Sequence, residues 1–363
     1  MKRKEDAATD FSFALKVKSQ VPIVCPGHTR PLTELHYSAA TPDGVFLISG
    51  CHDKLPMLRR GDNGDWIGTY AGHKGAVWSA KLDSSALLAA TGSADFSAKL
   101  WDAVSGEELA TFSHKHIVKC VEFDPFEPGQ AQAQWLASGG AEGRLRVFDL
   151  AAGALASEIE TRPPADAKRG LNKVVWGPTR STILTAGADG VVRMWDVRGG
   201  GVAREAAVGA VEGASSVAVM DVELTTPRAG PRAGKPTLVC AAGEHATILD
   251  AASLETVARF DLGVRALFKE EGGVSLHPDG ERFIAGGSDL MVRVLDAASG
   301  AELESHQGHH GPVRHCRYAP DGASYVTGSE DGTIRLWQTF PEPTAPAPAS
   351  GAAEPAESGS GAA

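Results

Sequence analysis

A histidine, a threonine, an aspartate and a tryptophan recur at one spacing in this chain. His73, Thr91, Asp95 and Trp101 form one set, and His309, Thr327, Asp331 and Trp337 form another with the same intervals. Hydroxyl, imidazole and carboxylate are the parts of a nucleophilic triad. A triad, however, works as a single constellation opening onto a pocket with an oxyanion site. Two near-copies, both with Thr at the hydroxyl position, point to a repeated structural device. A buried indole N–H needs an acceptor, and a chain of bonds from Asp through His and Thr to Trp supplies one. We assign these eight residues as structural tetrads and assign no residue as catalytic.

The remaining chemistry candidates are weaker. His114, His116, His309, His310 and His315 are the kind of residue that binds metal. Yet His114 and His309 follow corresponding positions of separate repeats, and no thiolate or carboxylate stands at ligand spacing beside either group. Cys25, Cys51, Cys120, Cys240 and Cys316 are odd in number and never in a CxxC spacing, so they read as reduced, mostly buried thiols of an intracellular protein. No GxGxxG leads from strand to helix and no GxxxxGK[ST] occurs. The expectation is therefore no metal and no cofactor. A formal net charge of −10 with dispersed Lys and Arg opposes a broad nucleic-acid surface. No apolar run reaches the ~20 residues of a membrane span, and the charged start MKRKEDAATD is not a secretory signal.

The elements that must position the tetrads are short strands. The stretch from Gly61 to Asp102 places Gly72-His73 ahead of two alternating runs and closes on Trp101-Asp102. Glycine-histidine and tryptophan-aspartate punctuation at about 40–45 residues is the signature of a WD40 propeller, with four strands per blade. Seven positions take the place of that Trp: Arg59, Trp101, Phe148, Trp195, Leu249, Leu295 and Trp337. The fold class is all-β, a seven-bladed WD40 β-propeller. It is expected to span 21–340, between a flexible N-terminal extension (1–20, charged and without an apolar period) and a disordered Pro/Ala/Gly/Ser-rich tail (341–363).

Val21–Cys25 should pair with Thr333–Gln338 and close the ring, with Pro22 confined to an outer strand. Blade one departs from the pattern, with Arg59-Arg60 for WD and Pro56 interrupting its third strand; Trp66 falls in its outer strand. Insertions are expected around Glu127–Gln134 and at 161–170. The loop TPRAGPRAGKP at 226–236 reads as disordered by its composition.

With catalysis unsupported, a rigid propeller presents loops to partners. The candidate partner-binding rim is His52, Arg59, Arg60, Lys74, Trp78, Lys115, His116 and His310. Trp78 and the two arginines are favoured as hot-spot types, with packing between blades as the alternative for Trp78 and replacement of a lost tetrad as the alternative for the arginines. A propeller enzyme would need convergent acidic or histidine side chains in the channel, and the sequence shows no sign of them.

Several stretches go beyond the generic repeat. GDNGDWIGTYAGHKGAVWSAKL, ADFSAKLWDAVSGEEL with HKHIVK, FLISGCHDKLPMLRRGD and GSEDGTIRLWQT resemble the serine-threonine kinase receptor-associated protein family, also called the Unr-interacting proteins. The resemblance runs from about Cys25 to Thr339 and weakens in blades four and five. It implies a non-enzymatic scaffold of the survival-of-motor-neuron complex in spliceosomal snRNP assembly and mRNA translation control. Its partners would be components of that complex or a cold-shock-domain RNA-binding protein. RNA would be reached indirectly, by a monomer within a larger complex, in cytoplasm with some nuclear presence, and without a membrane. In animals the family is also associated with transforming-growth-factor-β receptor signalling. The alternative is the WD40 subunit i of eukaryotic translation initiation factor three, which shares a GxxxGTYxGHxGAVW-like segment. A ubiquitin-ligase substrate receptor would require a separate adaptor.

Overall fold

Alternation along Val77–Leu82 and Leu88–Ser93 gives each strand two faces that both need cover, because successive side chains point to opposite sides. In the computed structural model, which describes residues 20–125, 132–161, 170–210, 216–263 and 272–339, neighbouring sheets supply that cover. Seven four-stranded antiparallel sheets are arranged as a ring. We letter the strands of each blade a to d from the channel outward. In blade two these are Val77–Leu82, Leu88–Ser93, Ser97–Asp102 and Glu108–Ser113. Ala89 faces blade one while its neighbour Ala90 faces blade three, so each sheet contributes to two separate cores. Seven apolar clusters result, one between each pair of adjacent blades.

The ring closes through the N-terminal strand. Ile23–Cys25 pairs antiparallel with Ile334–Gln338, Ile23 opposite Leu336 and Cys25 opposite Ile334. Gln20 reinforces the join, exchanging two hydrogen bonds with the backbone of Gln338 at 3.0 and 2.6 Å. Pro22 lies just outside this outermost strand, where its missing N–H removes no ladder bond. All seven expected positions, Arg59 to Trp337, fall in strand c of successive blades.

Two local expectations are corrected. Pro56 does not interrupt a strand: it ends the turn before Met57–Arg60, and its carbonyl accepts from Tyr70 N. The loop at 226–236 is held in place despite its composition. Arg232 donates to Thr237 Oγ1 and to Asp250 Oδ2, both at 2.8 Å, and Arg228 N donates to Pro278 O. The Arg232 side chain ties the loop to blade five and the Arg228 backbone ties it to blade six, which a count of Gly and Pro overlooks. Residues 1–19 of the expected 1–20 extension, the expected tail, residues 162–169 of the loop at 161–170, and residues 127–131 of the third-blade insertion lie outside the described residues, whereas Gln20 takes part in the ring closure.

Candidate functional site

The d–a and b–c turns share one face of the ring, which we call upper, and both carry the tetrads. His73 Nδ1 lies 2.8 Å from Asp95 Oδ2, and Nε2 lies 2.7 Å from Thr91 Oγ1, which also accepts from Trp101 Nε1 at 2.8 Å. In the last blade the distances are 3.3, 2.7 and 2.8 Å for His309–Asp331, His309–Thr327 and Trp337–Thr327. The glycine of the Gly-His pair is needed for close approach: a Cβ on Gly72 would sit 2.9 Å from the Trp101 ring. Burial would raise the Asp95 carboxyl, but bonds from Ser97, Lys74 N and His73 outweigh it and hold the group down at about 2. Burial holds His309 down at about 4. Thr91 and Thr327 are both fully buried, so neither hydroxyl can meet a substrate.

Partial versions occupy other blades. His28 bonds Asp53 and Ser49, each at 2.8 Å, with Arg59 where the Trp would be. His114 bonds Ser138 at 2.9 Å with Phe148 in the Trp position, and Trp195 bonds Thr185 at 2.8 Å. In blade one the donors of His28, Cys51 and Asp53 also approach closely enough to hold a metal ion. Both His28 nitrogens and Asp53 Oδ2 are already engaged in hydrogen bonds, however, and the Cys51 thiol is pushed up to about 12 by burial.

The rim residues do not form one surface. Arg59 is corrected outright. It is 3% exposed, donates to Gly64 O at 3.1 Å and to Pro26 O, and sits at the end of strand c away from the upper turns. Arg60 is only partly exposed at that same lower end, beside Asp62 and the Phe46 ring. Lys74, Lys115, His116 and His310 are exposed in upper turns, and His52 and Trp78 meet edge-on with ring centroids 5.0 Å apart.

Trp78 faces the channel because of a β-bulge. Among the described residues, the pairing of strands a and b slips at the second residue of strand a in six blades. A bulge leaves one residue unpaired and re-aims its side chain. The residues so displaced are Thr33, Trp78, Lys119, Asn172, Met220 and Arg314, and they line the upper mouth of the channel. Lys119 Nζ lies 5.5 Å from the Trp78 ring centroid.

Deeper in the channel the structure overturns a second expectation, because acidic and histidine side chains do converge there. Glu34 Oε1 takes Lys173 Nζ at 2.8 Å and Lys81 at 3.7 Å, and Lys81 reaches Glu122 at 3.2 Å. Asp221 takes Arg317 at 2.7 Å, Lys173 at 3.7 Å and His315 at 3.7 Å, while Arg317 also nears Glu223. Burial would raise Glu34 and Asp221, but the cations beside them hold both far below the usual carboxylate range. Burial pushes Glu122 up and holds His315 at about 4.

These groups also fasten each blade to the next. Glu34 accepts from Ala80 N, Ser79 from Val121 N, Asp221 from Val274 N, Ser275 from Tyr318 N and His315 from Leu35 N. Asn172 Nδ2 donates to Val219 O and Trp176 Nε1 to Glu122 O, so every interface between blades is bridged. The charged groups are thus engaged with each other and with backbone, and Lys81, Glu122, Glu223 and Arg317 line a chamber of about 320 Å³ below the mouth.

A family model described as "WD domain, G-beta repeat" matches residues 64–102, 106–149, 165–196 and 300–338. The serine-threonine kinase receptor-associated proteins of Gallus gallus and Homo sapiens are each 42% identical over 320 residues, covering 88% of this chain and 83% of theirs. The chain belongs to the serine-threonine kinase receptor-associated protein family. Its Dictyostelium discoideum member is 40% identical over 321 residues, which cover 98% of that protein. Eukaryotic translation initiation factor 3 subunit I of Drosophila grimshawi is more distant, 27% identical over 337 residues. The repeat model skips most of blades one, five and six, where this family member has Arg59, Leu249 and Leu295 in place of the Trp.

Proposed function

We propose that this chain is a non-catalytic protein-interaction scaffold serving ribonucleoprotein assembly and translation control. One observation carries the reading: the tetrad hydroxyls and the channel carboxylates Glu34 and Asp221 are closed by internal bonds, whereas, among the described residues, Lys74 and Lys115 in the upper turns have no carboxylate partner. A site whose hydroxyls and carboxylates are already satisfied has no free nucleophile or base to offer. Membership of the family supports survival-of-motor-neuron components or a cold-shock-domain RNA-binding protein as the partners, with RNA reached through them. Cytoplasmic residence with some nuclear presence follows from the same reading.

The second reading, an initiation-factor subunit, rests on the 27% relative. Affinity purification from native extract, split into nuclease-treated and untreated halves and read by mass spectrometry, separates the two. Sm-core assembly factors that survive nuclease are the expected result. A stoichiometric set of initiation-factor subunits would replace the first reading with the second.

A further inference from the structure

The upper face of blades one to three is cationic, although the chain as a whole carries a formal −10. Its carboxylates are consumed internally. Asp53 accepts from His28, Thr29 N and Leu55 N; Asp95 from His73, Lys74 N and Ser97; Glu142 from Arg146 and Lys115 N. Among the described residues, Arg30, Lys54, Lys74 and Lys115 are exposed on the same turns with no carboxylate partner. Lys119, at the channel mouth, bonds only the neutral Asn172 Oδ1 at 3.2 Å and rests over Trp78.

At the centre of this field is a small cavity lined in part by Trp78, against which His52 packs. Trp78 Nε1 is buried without a hydrogen-bond partner, and so is His52 Nε2 beside it. A buried polar group left unpaired is costly, which makes the Trp78 indole N–H a donor available to a ligand. The cavity lined by Trp78, Lys119, Asn172 and Arg314 measures about 40 Å³. A water molecule needs about 10–15 Å³ of such space, so the cavity has room for a small polar group. Nearby acids do not compete, since Glu34 is bound to Lys173 and Glu330 to Arg314.

We propose that the upper channel mouth binds an acidic peptide segment of a protein partner. One carboxylate accepts from the Trp78 indole N–H and pairs with Lys119. Flanking acidic residues meet Arg30, Lys54, Lys74 and Lys115. The observations favour peptide over RNA on a specific ground: single-stranded RNA needs free aromatic faces for stacking. Trp78 has Lys119 over one face and meets His52 edge-on, so a base stacking on that face would have to displace the lysine.

The inference rests on the scaffold reading and is tested apart from it. The full chain is titrated with a short fluorescein-labelled peptide of alternating Glu and Ser, with its Lys-Ser counterpart, and with oligouridylate of equal length. Binding of the acidic peptide alone is expected, weakening as salt is raised. Trp78→Phe removes the donor and keeps the ring, and Lys119→Gln removes the charge. Each should cut affinity at least about tenfold, the loss for one hydrogen bond to a charged group, with an unchanged melting temperature. Undiminished binding by both variants, no binding by the unaltered chain, or tighter oligouridylate binding lost with the same variants would each overturn the proposal. Partners purified from extract then separate the two levels. A set retained by both variants removes the mouth and leaves the scaffold, whereas no partner on the unaltered chain removes the scaffold itself.

Discussion

Two polar systems hold this ring together, and they solve different problems with different chemistry. The tetrads lie within blades, are neutral apart from one aspartate, and satisfy a buried indole through His and Thr. The channel network lies between blades and is charged, running from Glu122 through Lys81, Glu34, Lys173 and Asp221 to Arg317. A tetrad can be lost from one blade with the others intact, as blade six illustrates with Ala285 and Leu295 in the equivalent strands. The channel network has no such redundancy, because Glu34 and Asp221 each serve cations from two blades. The first system sets the rigidity of a blade, and the second sets the register of the ring.

The largest expected effect comes from breaking the second system. Glu34→Leu leaves Lys173 and Lys81 short of their shared carboxylate and Ala80 N without its acceptor. Removing one partner of a buried pair costs about 3–5 kcal/mol, read as a lower urea midpoint at constant slope. Glu34→Leu combined with Lys173→Met should recover most of that loss, because no unpaired charge remains at the centre. If the double variant is no more stable than the single one, Glu34 acts through its backbone bonds rather than through the ion pair.

Within the tetrads, Thr91→Val comes next. It keeps the shape and strands two buried groups, His73 Nε2 and Trp101 Nε1, for about 2–3 kcal/mol in total. Ser49→Ala in blade one strands only His28 Nε2 among side chains and should cost about 1 kcal/mol. Equal losses at the two sites would mean that the Trp bond contributes nothing.

The two systems also differed in how far the sequence revealed them. His73, Thr91, Asp95 and Trp101 were legible because the same residue types return at His309, Thr327, Asp331 and Trp337. The channel positions carry no such recurrence. The third residue of strand a is Glu34, Ser79, Cys120, Lys173, Asp221 and His315 in the blades with a bulge, a different chemistry each time. Charges that meet only across a ring leave no period to find, and a bulge shifts which side chains face inward. Arg59 misled for a related reason. Arginine is an exposed residue by habit, and only the close approach of Pro26 and Gly64 shows that this one is buried.

Acid separates the contributions by window. His309 in a tetrad, His114 in a partial one and His315 in the channel are held down at about 4 by burial, against about 6.5 for a free imidazole. A lowered folded pKa means that their contribution is complete above pH 6.5 and is lost as pH falls towards 4. Asp95 and Asp331, held at about 2, add a second loss as pH falls below about 3.9 towards 2. His309→Gln should therefore flatten the decline of melting temperature between pH 6.5 and 4 and leave the lower window in place. An unchanged slope in the upper window would assign that loss to other histidines.

The smallest effect sharpens the comparison most, because it asks what replaces a tetrad when its Trp is gone. Arg59 occupies that place in blade one and donates to two backbone carbonyls, but its Nε has no partner and burial holds its pKa down. Arg59→Met loses those two charge-assisted bonds, at about 1.5–3 kcal/mol each, and at the same time removes the desolvation of a buried cation, a penalty of several kcal/mol. The two terms oppose, so a net destabilisation of no more than about 1 kcal/mol is expected. Trp101→Ala, by contrast, opens a core cavity and should cost about 3–5 kcal/mol. If Arg59→Met matched Trp101→Ala, the arginine would be a full substitute for the indole and blade one would be as tightly held as blade two. A near-neutral result makes blade one the weaker blade beside the strand that closes the ring. Amide exchange would then be fastest in Phe46–Cys51 and Met57–Arg60, because local opening follows the least satisfied sheet.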